Sequence, residues 1–254
     1  MRVPLTKYGW PQVLVFPLAA LAGMVIYPLI AVRFFPYWAR FTPWAILTFW
    51  TVEFILCATL IWVLTFFRDP ERAVAADRNL LMAPADGKVT DIEIVEESDF
   101  IGGATLRIGI FLSIFDVHIN RAPCNVRVEK IRHKEGKYRN AMNPESGRVN
   151  ESNDLYLLRT DSPRERLVVR QISGAVARRI VCQISEGQEL AGGEKFGMIK
   201  FGSRTEIYVP AGKGTQGNRV GKRAGEWEPR CLVKVGDKVK AGLSPLVRYE
   251  ECRD

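Results

Sequence analysis

Two stretches in the C-terminal part of the chain share one pattern, and this pattern decides the fold prediction. They read "ISEGQELAGGEKFGMI" (184–199) and "VKVGDKVKAGLSPLVRY" (233–249). In each, a glycine and a polar residue are followed by an apolar residue and then by a second glycine. Because glycine supplies the backbone conformations that tight turns need, each stretch predicts a strand, a turn and a strand.

The chain between and before these stretches also predicts strands. Eight short runs rich in β-branched and apolar residues are separated by turn residues. They lie at 87–96, 104–114, 125–131, 154–160, 166–172, 178–184, 204–210 and 231–235. A polar, turn-rich segment at 133–154 predicts a long loop, and long loops in compact domains are often functional. The paired pattern resembles the half-motif of biotinyl and lipoyl carrier domains, which implies a mainly-β, barrel-sandwich fold.

The first 67 residues have a different composition, because residues 10–32 contain no charge and residues 41–67 contain one acid, Glu53. Each run is long enough, as a helix, to cross a bilayer core of about 30 Å. Pro11, Pro17 and Pro28 predict an irregular first helix, so a hairpin that dips into one leaflet is the alternative. We therefore expect a membrane-anchoring helical hairpin at 1–67 and a catalytic β domain at 68–254.

Basic residues predict the orientation of this hairpin. Two of them, Arg33 and Arg40, lie in the connecting loop, and five lie outside it. Those five are Arg2, Lys7, Arg68, Arg72 and Arg78. The positive-inside rule places the more basic side in the cytoplasm. The prediction is an inner-membrane protein with its β domain on the cytoplasmic side.

Cysteine and histidine usage excludes several classes of site. The five cysteines are odd in number, widely spaced and include no C-x-x-C pair, so neither a disulfide framework nor a zinc site is expected. His118 and His133 are the only histidines, so no metal site is predicted. The net charge of +8 suits an anionic partner, but no known nucleic-acid module is present, and we expect no nucleic-acid binding.

The dipeptide Gly202-Ser203 interrupts a run of strand-forming residues, "KFGMIKFGSRTEIYVP" (195–210). A hydrolase elbow and a phosphate-binding loop both fail on spacing, and a plain bulge is the remaining structural interpretation. Asp86 and His118 also lie at predicted strand ends. Asp, His and Ser together are what base activation of a hydroxyl nucleophile requires.

Five segments give a closer resemblance. The sequences "FFRDPER", "APADGKV", "SIFDVHINRAP", "VNESND" and "MIKFGSRTEIYVP" together resemble the phosphatidylserine decarboxylase family, particularly its short bacterial and archaeal-type branch. The resemblance covers most of residues 66–250. It implies a zymogen that cleaves itself between Gly202 and Ser203 to form a covalent pyruvoyl cofactor. It also implies decarboxylation of phosphatidylserine, or a related serine phospholipid, to phosphatidylethanolamine.

Carried onto this chain, the resemblance assigns Ser203 as nucleophile and pyruvoyl precursor, His118 as the base, and Asp86 as the residue that orients His118. It implies that a large chain (1–202) and a small chain (203–254) stay associated, with an anionic serine phospholipid and the membrane as partners. Glycine at 202 is expected to leave room for Ser203 to approach the preceding carbonyl.

Two departures from the family pattern fall beside these motifs. Arg121 occupies the position of a second histidine found in some long-form members, and "NESN" at 150–153 replaces the family's "NER". Asn150, Asn153 and Arg121 are kept as candidate substrate contacts.

The segment 211–229 is basic, with Lys213, Arg219, Lys222 and Arg223. It predicts a solvated loop, and attraction to an anionic membrane is the functional alternative. Two other functions remain open at this point. One is a membrane-tethered carrier with Lys200 as its modified lysine, and the other is a membrane serine hydrolase.

Overall fold

The computed structural model describes residues 5–34, 42–73, 77–175, 179–200, 202–211 and 227–251. The chain divides into two compact units, Met1–Pro70 and Glu71–Asp254. Arg2, Arg40 and most of the basic segment 211–229 lie outside the described residues. The functional division into an anchor at 1–67 and a catalytic domain at 68–254 stays a prediction.

The N-terminal unit contains two apolar helices, α1 (Gln12–Phe34) and α2 (Pro43–Phe66). Thr42 caps α2 by accepting a hydrogen bond from the N–H of Ala45, and Pro43 occupies the first turn, where a missing N–H costs nothing. At 1.5 Å per residue each helix is about 35 Å long, and both are long and apolar enough to cross a membrane.

The two helices pack antiparallel. Tyr27 of α1 stacks on Phe49 of α2, with ring centroids 5.7 Å apart, and Gly23 lets α1 approach Leu56. The expected irregularity of the first helix is wrong, because α1 continues through Pro17 and Pro28. Whether the pair spans the bilayer or dips into one leaflet stays a prediction.

In its described residues, the second unit is built from antiparallel strands, with one short helix, α3 (Ser146–Val149). The strands are β1 (Leu80–Met82), β2 (Gly87–Glu97), β3 (Gly103–Leu112), β4 (Ile119–Arg121), β5 (Val126–Lys134), β6 (Ser152–Arg159), β7 (Arg166–Ile172), β8 (Arg179–Cys182), β9 (Glu189–Leu190), β10 (Lys195–Lys200), β11 (Ser203–Pro210), β12 (Trp227–Cys231), β13 (Lys238–Val239) and β14 (Pro245–Glu251). An eight-stranded sheet has the order β13-β2-β3-β11-β7-β6-β5-β9. Two three-stranded sheets, β1-β14-β12 and β4-β10-β8, complete the unit.

The two similar stretches of sequence form similar structures. Each gives a two-residue strand, a turn and a longer strand, namely β9 to β10 and β13 to β14. Their glycines match: Gly187 and Gly236 have φ of 82° and 103°, and Gly193 and Gly242 have φ of 77° and 72°. These left-handed conformations require glycine. The short strands β9 and β13 form the two edges of the large sheet, so the predicted mainly-β fold with an N-terminal helical pair is confirmed.

The core of this unit lies against the large sheet. Its central strands contribute fully buried side chains, among them Ile108, Ile110, Leu155, Val169 and Ile207. Each such side chain contributes about 1.5–3 kcal/mol when it is removed from water. The core therefore fixes the register of β3, β6, β7 and β11.

The strand predictions need three corrections. Of the run 231–235, only Cys231 lies in a strand, at the end of β12, and that strand contains Pro229, which is tolerated because β12 is an edge strand. The predicted loop 133–154 is shorter, since β5 extends to Lys134 and β6 begins at Ser152. The short strands β1 and β4 were not predicted, because three residues carry too little periodicity.

Candidate active site

The Gly202-Ser203 bond lies where the chain passes from one sheet to another. β10 ends at Lys200 in a three-stranded sheet, and β11 begins at Ser203 in the large sheet. Gly202 has φ of 59°, a left-handed conformation that disfavours any side chain. Beyond its chain neighbours, a β-carbon at Gly202 would meet no described atom within 4 Å. Backbone conformation alone therefore favours glycine at this position, and the expected room for Ser203 to approach the preceding carbonyl stays a prediction.

Ser203 is fully buried at the first position of β11. It lies opposite Leu112, the last residue of β3. Its hydroxyl oxygen has no hydrogen-bond partner among the described residues. A buried hydroxyl without a partner costs about 1–3 kcal/mol, so this arrangement needs a functional explanation.

The carbonyl of Gly202 packs against Gly174, which follows β7. A β-carbon at Gly174 would overlap the Gly202 carbonyl oxygen and would lie 3.1 Å from its carbonyl carbon. Any side chain at residue 174 would therefore push this carbonyl away. Sequence reasoning missed Gly174, and the only signal was a Ser-Gly pair directly after a predicted strand.

His118 is also fully buried, and its protonation can be assigned from its neighbour. Its Nδ1 lies 2.9 Å from the carbonyl oxygen of Asp116. A carbonyl can only accept, so Nδ1 carries the proton in a neutral ring and Nε2 is the basic nitrogen. Asp116 is itself held, because its carboxylate accepts from both the N–H and the hydroxyl of Ser113, at 2.8 and 2.7 Å.

Strand pairing connects the segments that carry His118 and Ser203, although His118 precedes β4 of a three-stranded sheet and Ser203 begins β11 of the large sheet. The carbonyl of His118 accepts a hydrogen bond of 3.3 Å from the N–H of Ile199, four residues before Ser203. Leu112, which pairs with Ser203, leads directly into the turn Ser113–Asp116. The two predicted catalytic residues are thus positioned by adjacent segments of β3, β4 and β10.

The hydrogen-bond partners of Asp86 differ from His118, the partner that the sequence predicts. Both carboxylate oxygens accept hydrogen bonds from Arg72, at 2.6 and 2.8 Å, and Oδ1 also accepts from the N–H of Ala241 at 2.8 Å. Arg72 in turn donates to the carbonyl of Ala241. Asp86 therefore joins "FFRDPER" to the second glycine-containing repeat, and its predicted orientation of His118 stays a prediction. The sequence shows both motifs, "FFRDPER" and "APADGKV", but not the ion pair between Arg72 and Asp86 that joins them.

The three candidate substrate contacts have partners inside the protein. The Asn150 side-chain amide donates to the carbonyls of Arg139 and Ser173, both at 2.8 Å, and accepts from the N–H of Arg139. Arg121 is buried and donates to the carbonyl of Gly193. Both N–H donors of the Asn150 amide are used in these hydrogen bonds, so donation to a substrate would require one of them to break, and substrate contact by Asn150 or Arg121 stays a prediction.

Asn153, the third candidate, begins a buried chain of amides that ends next to Ser203. It donates to Gln171, Gln171 donates to Asn120, and Asn120 donates to Thr205, with distances of 3.1, 2.9 and 3.1 Å. All four residues are buried. The chain connects β6, β7, β4 and β11 through side chains alone, and it ends at Thr205, which is two residues after Ser203 and lies on the same face of β11.

A second buried polar group lies on the opposite face of β11. Glu206 accepts from Arg204 at 2.8 Å and from Tyr208 at 2.6 Å. Burial raises the pKa of the Tyr208 phenol, and the neighbouring Glu206 carboxylate raises it further. Tyr208 is therefore a neutral donor at physiological pH, and it helps hold the strand that starts at Ser203.

The structure also describes the surroundings of Lys200 and of the side chains that could bind a metal. Lys200 is only 3% exposed at the end of β10, and burial lowers its pKa, as does the nearby Arg179. A lysine that is modified by a partner enzyme would need exposure. Among the described residues, no group of three or more His, Cys, Asp or Glu side chains is arranged to hold a metal ion.

The fold and site define a mainly-β protein with a buried candidate nucleophile at the start of a central strand. Comparison with known proteins identifies its family. Residues 60–246 match the family model of phosphatidylserine decarboxylase. A phosphatidylserine decarboxylase proenzyme of Rhodopirellula baltica is 38% identical over 246 residues, which are 95% of this chain and 91% of the relative.

Two further relatives with the same description agree. The protein of Carboxydothermus hydrogenoformans is 41% identical over 206 residues, or 81% of this chain and 88% of the relative. That of Symbiobacterium thermophilum is 37% identical over 227 residues, or 88% of this chain and 97% of the relative. The chain belongs to the phosphatidylserine decarboxylase family.

Proposed function

We propose that this protein decarboxylates phosphatidylserine, or a related serine phospholipid, to phosphatidylethanolamine, with a pyruvoyl group that it forms from its own Ser203. The observation that carries the proposal is the buried Ser203 hydroxyl, which has no described hydrogen-bond partner and directly follows a left-handed Gly202. The relatives are named as proenzymes, which supports processing of the chain.

Self-cleavage can be written with this chain's own groups. His118 Nε2 takes the proton of Ser203 Oγ, and the oxygen attacks the Gly202 carbonyl carbon. The C–N bond breaks, His118 returns the proton to the departing nitrogen, and an ester joins residues 202 and 203. Loss of the Ser203 α-proton then breaks the Cβ–O bond, which leaves a Gly202 carboxylate and dehydroalanine. Addition of water and release of ammonia give the pyruvoyl end.

The site fits the group that this reaction would produce. A pyruvoyl carbonyl at residue 203 supplies an electron sink for decarboxylation of an amino-acid headgroup. The chain holds this position through Leu112 on β3 and through Arg204, which pairs with Ile172 on β7. His118 Nε2 is the candidate to deliver a proton to the product, since its other nitrogen is fixed by Asp116.

Strand pairing supports association of the two chains after cleavage. The small chain would contribute β11, which pairs with β3 and β7 of the large chain. It would also contribute β13, paired with β2, and β14, paired with β1. Separation of the chains would break two sheets, the eight-stranded sheet and β1-β14-β12, and expose their common core.

The two apolar helices support membrane association, which suits a phospholipid substrate. We place the catalytic unit on the cytoplasmic side of the inner membrane because of the basic residues outside the hairpin.

Intact mass spectrometry of the purified protein tests the proposal. Two fragments are expected, 1–202 and 203–254, and the smaller should be lighter than its encoded mass by one ammonia. Simple hydrolysis would leave that mass unreduced. Ser203→Ala should give only the full-length chain and no activity, whereas Ser203→Cys should cleave more slowly. A fully active preparation of uncleaved chain would overturn the mechanism.

The base is tested by a matched pair of histidine variants. His118→Ala should stay uncleaved, because the basic nitrogen is lost. His133→Ala should cleave normally, since His133 is half-exposed and lies beside Glu151 on the outside of β5. Normal cleavage of the His118 variant would remove it from the mechanism.

A further inference from the structure

Four large apolar side chains of the catalytic unit are exposed on two segments. Ile114 and Phe115 are 40% and 69% exposed, and Tyr138 and Met142 are 43% and 56% exposed. Large apolar groups clustered at a surface mark contact with another protein or with lipid. We call these four side chains the rim.

Both segments of the rim flank the Gly202-Ser203 bond. The turn Ser113–Asp116 directly follows Leu112, the partner of Ser203. The second segment carries Ala141, whose β-carbon would lie 3.2 Å from a β-carbon at Gly174, next to the Gly202 carbonyl. The exposed side chains therefore stand at the edge of the candidate active site.

Both segments of the rim are held in place by hydrogen bonds. Asp116 closes its turn through two hydrogen bonds to Ser113, so Ile114 and Phe115 are presented at the tip while the other end of the turn contacts His118. Asn150 bonds both backbone groups of Arg139, next to Tyr138. A preorganised apolar tip loses little conformational entropy when it is buried.

The charges next to the rim indicate its partner. Segment 137–142 contains Lys137 and Arg139, both exposed, and no acidic residue. The turn Ser113–Asp116 contains one acid, Asp116, whose carboxylate accepts two hydrogen bonds from Ser113. Exposed aromatic and apolar groups beside basic side chains suit the interface of an anionic bilayer, where the rings enter the headgroup region and the cations contact phosphates. Among the described residues of the rim segments, no comparable arrangement of charged and apolar side chains favours a protein partner.

We propose that the rim inserts into the surface of an anionic bilayer and lets a phospholipid pass from the membrane into the site at Ser203. This inference rests on the proposed function for the position of the site. It assigns Ile114, Phe115, Tyr138 and Met142 to lipid contact and Lys137 and Arg139 to headgroup phosphates.

The test uses the full chain reconstituted in vesicles, with two substrates. Long-chain phosphatidylserine is supplied in the bilayer, and dihexanoyl phosphatidylserine is supplied as a monomer in water to vesicles of phosphatidylcholine. The double variant Ile114→Ser with Phe115→Ser should process normally. It should lose about tenfold or more activity on the bilayer substrate relative to the monomer, given the free energy of burying such side chains.

Ile94→Ser is the matched control. Ile94 has the same residue type and almost the same exposure as Ile114, 41% against 40%, but it pairs with Leu106, which lies opposite Val209, six residues from Ser203. This variant should keep the wild-type ratio of the two activities. An unchanged ratio in the rim variant, or an equal fall in the control, would overturn the proposal.

Hydrogen exchange gives a readout that does not need activity. Residues 113–117 and 137–142 of the wild type should exchange more slowly in vesicles containing phosphatidylglycerol than in vesicles of phosphatidylcholine alone. Lys137→Gln with Arg139→Gln should remove that difference. Equal exchange in both lipids would contradict insertion of the rim. A wild-type chain that is not cleaved, but whose rim segments exchange slowly in the phosphatidylglycerol vesicles, would contradict only the pyruvoyl mechanism.

Discussion

Arg204 reaches across a neighbouring strand to bind Asp91. Its Nη2 donates to both carboxylate oxygens, at 2.7 and 2.6 Å, although β3 lies between β11 and β2 in the sheet. The crossing point is Gly109, which pairs with Asp91 on one side and with Glu206 on the other. A β-carbon at Gly109 would overlap the guanidinium group. The residue after Ser203 is therefore anchored two strands away.

Gly109→Ala should destabilise the protein by roughly 1–3 kcal/mol, because it displaces Arg204 and leaves the buried carboxylate of Asp91 with only Arg107 and the Thr90 hydroxyl as described partners. The free energy of unfolding, from urea denaturation of the Ser203→Ala background, measures the effect on a single intact chain. Gly103→Ala is the control on the same strand, since a β-carbon there meets no described atom within 4 Å. Equal stability of the two variants would show that Arg204 finds another partner easily.

Gly202→Ala should slow self-cleavage, because its left-handed φ of 59° costs an L-residue about 1–2 kcal/mol. Gly202→Asn should recover part of the rate, since asparagine tolerates this conformation better than alanine does. The fraction of cleaved chain over time, read from a denaturing gel, distinguishes the two. Identical rates for Ala and Asn would mean that conformation is not the requirement at residue 202.

Gly174→Ala should also impair cleavage, but for a different reason. Its methyl group would displace the Gly202 carbonyl that Ser203 must attack. Gly174→Asn should not recover the rate of cleavage, because the obstacle is steric crowding and not the backbone angle φ. Gly192→Ala, whose β-carbon would make an ordinary contact of 3.4 Å with Cys124, is the control and should cleave at the wild-type rate.

Arg72→Gln and Asp86→Asn should slow cleavage to a similar extent. Each removes half of a buried bidentate ion pair and loosens the contact with Ala241. Rates of fragment formation for both variants and for their combination are the measurement. If Arg72→Gln cleaves normally while Asp86→Asn does not, Asp86 acts on His118 instead.

A reporter fused after Asp254 should be active only in its cytoplasmic form, because more basic residues flank the hairpin than lie in its loop. Alkaline phosphatase and green fluorescent protein fusions give opposite readouts on the two sides of the membrane. A matched fusion within residues 35–41 should give the reverse pattern. Phosphatase activity of the C-terminal fusion would overturn the orientation.

Local patterns in the sequence determined much of this molecule. Two apolar runs, one without charge and one with the single acid Glu53, predicted α1 and α2. The repeated glycine pattern predicted β9 to β10 and β13 to β14, because turn conformation depends on neighbouring residues. The Gly202-Ser203 break and the five family segments likewise need no tertiary information. These features identified the candidate nucleophile and the family.

Only the tertiary structure decided which distant residues meet. It paired Asp86 with Arg72, aimed His118 Nδ1 at Asp116, and set Gly174 against the Gly202 carbonyl. It also showed that Gly109 is small so that Arg204 can cross β3. These contacts follow from strand order and register, which are set by burial of a core assembled from the whole unit, and no short stretch of sequence contains that information.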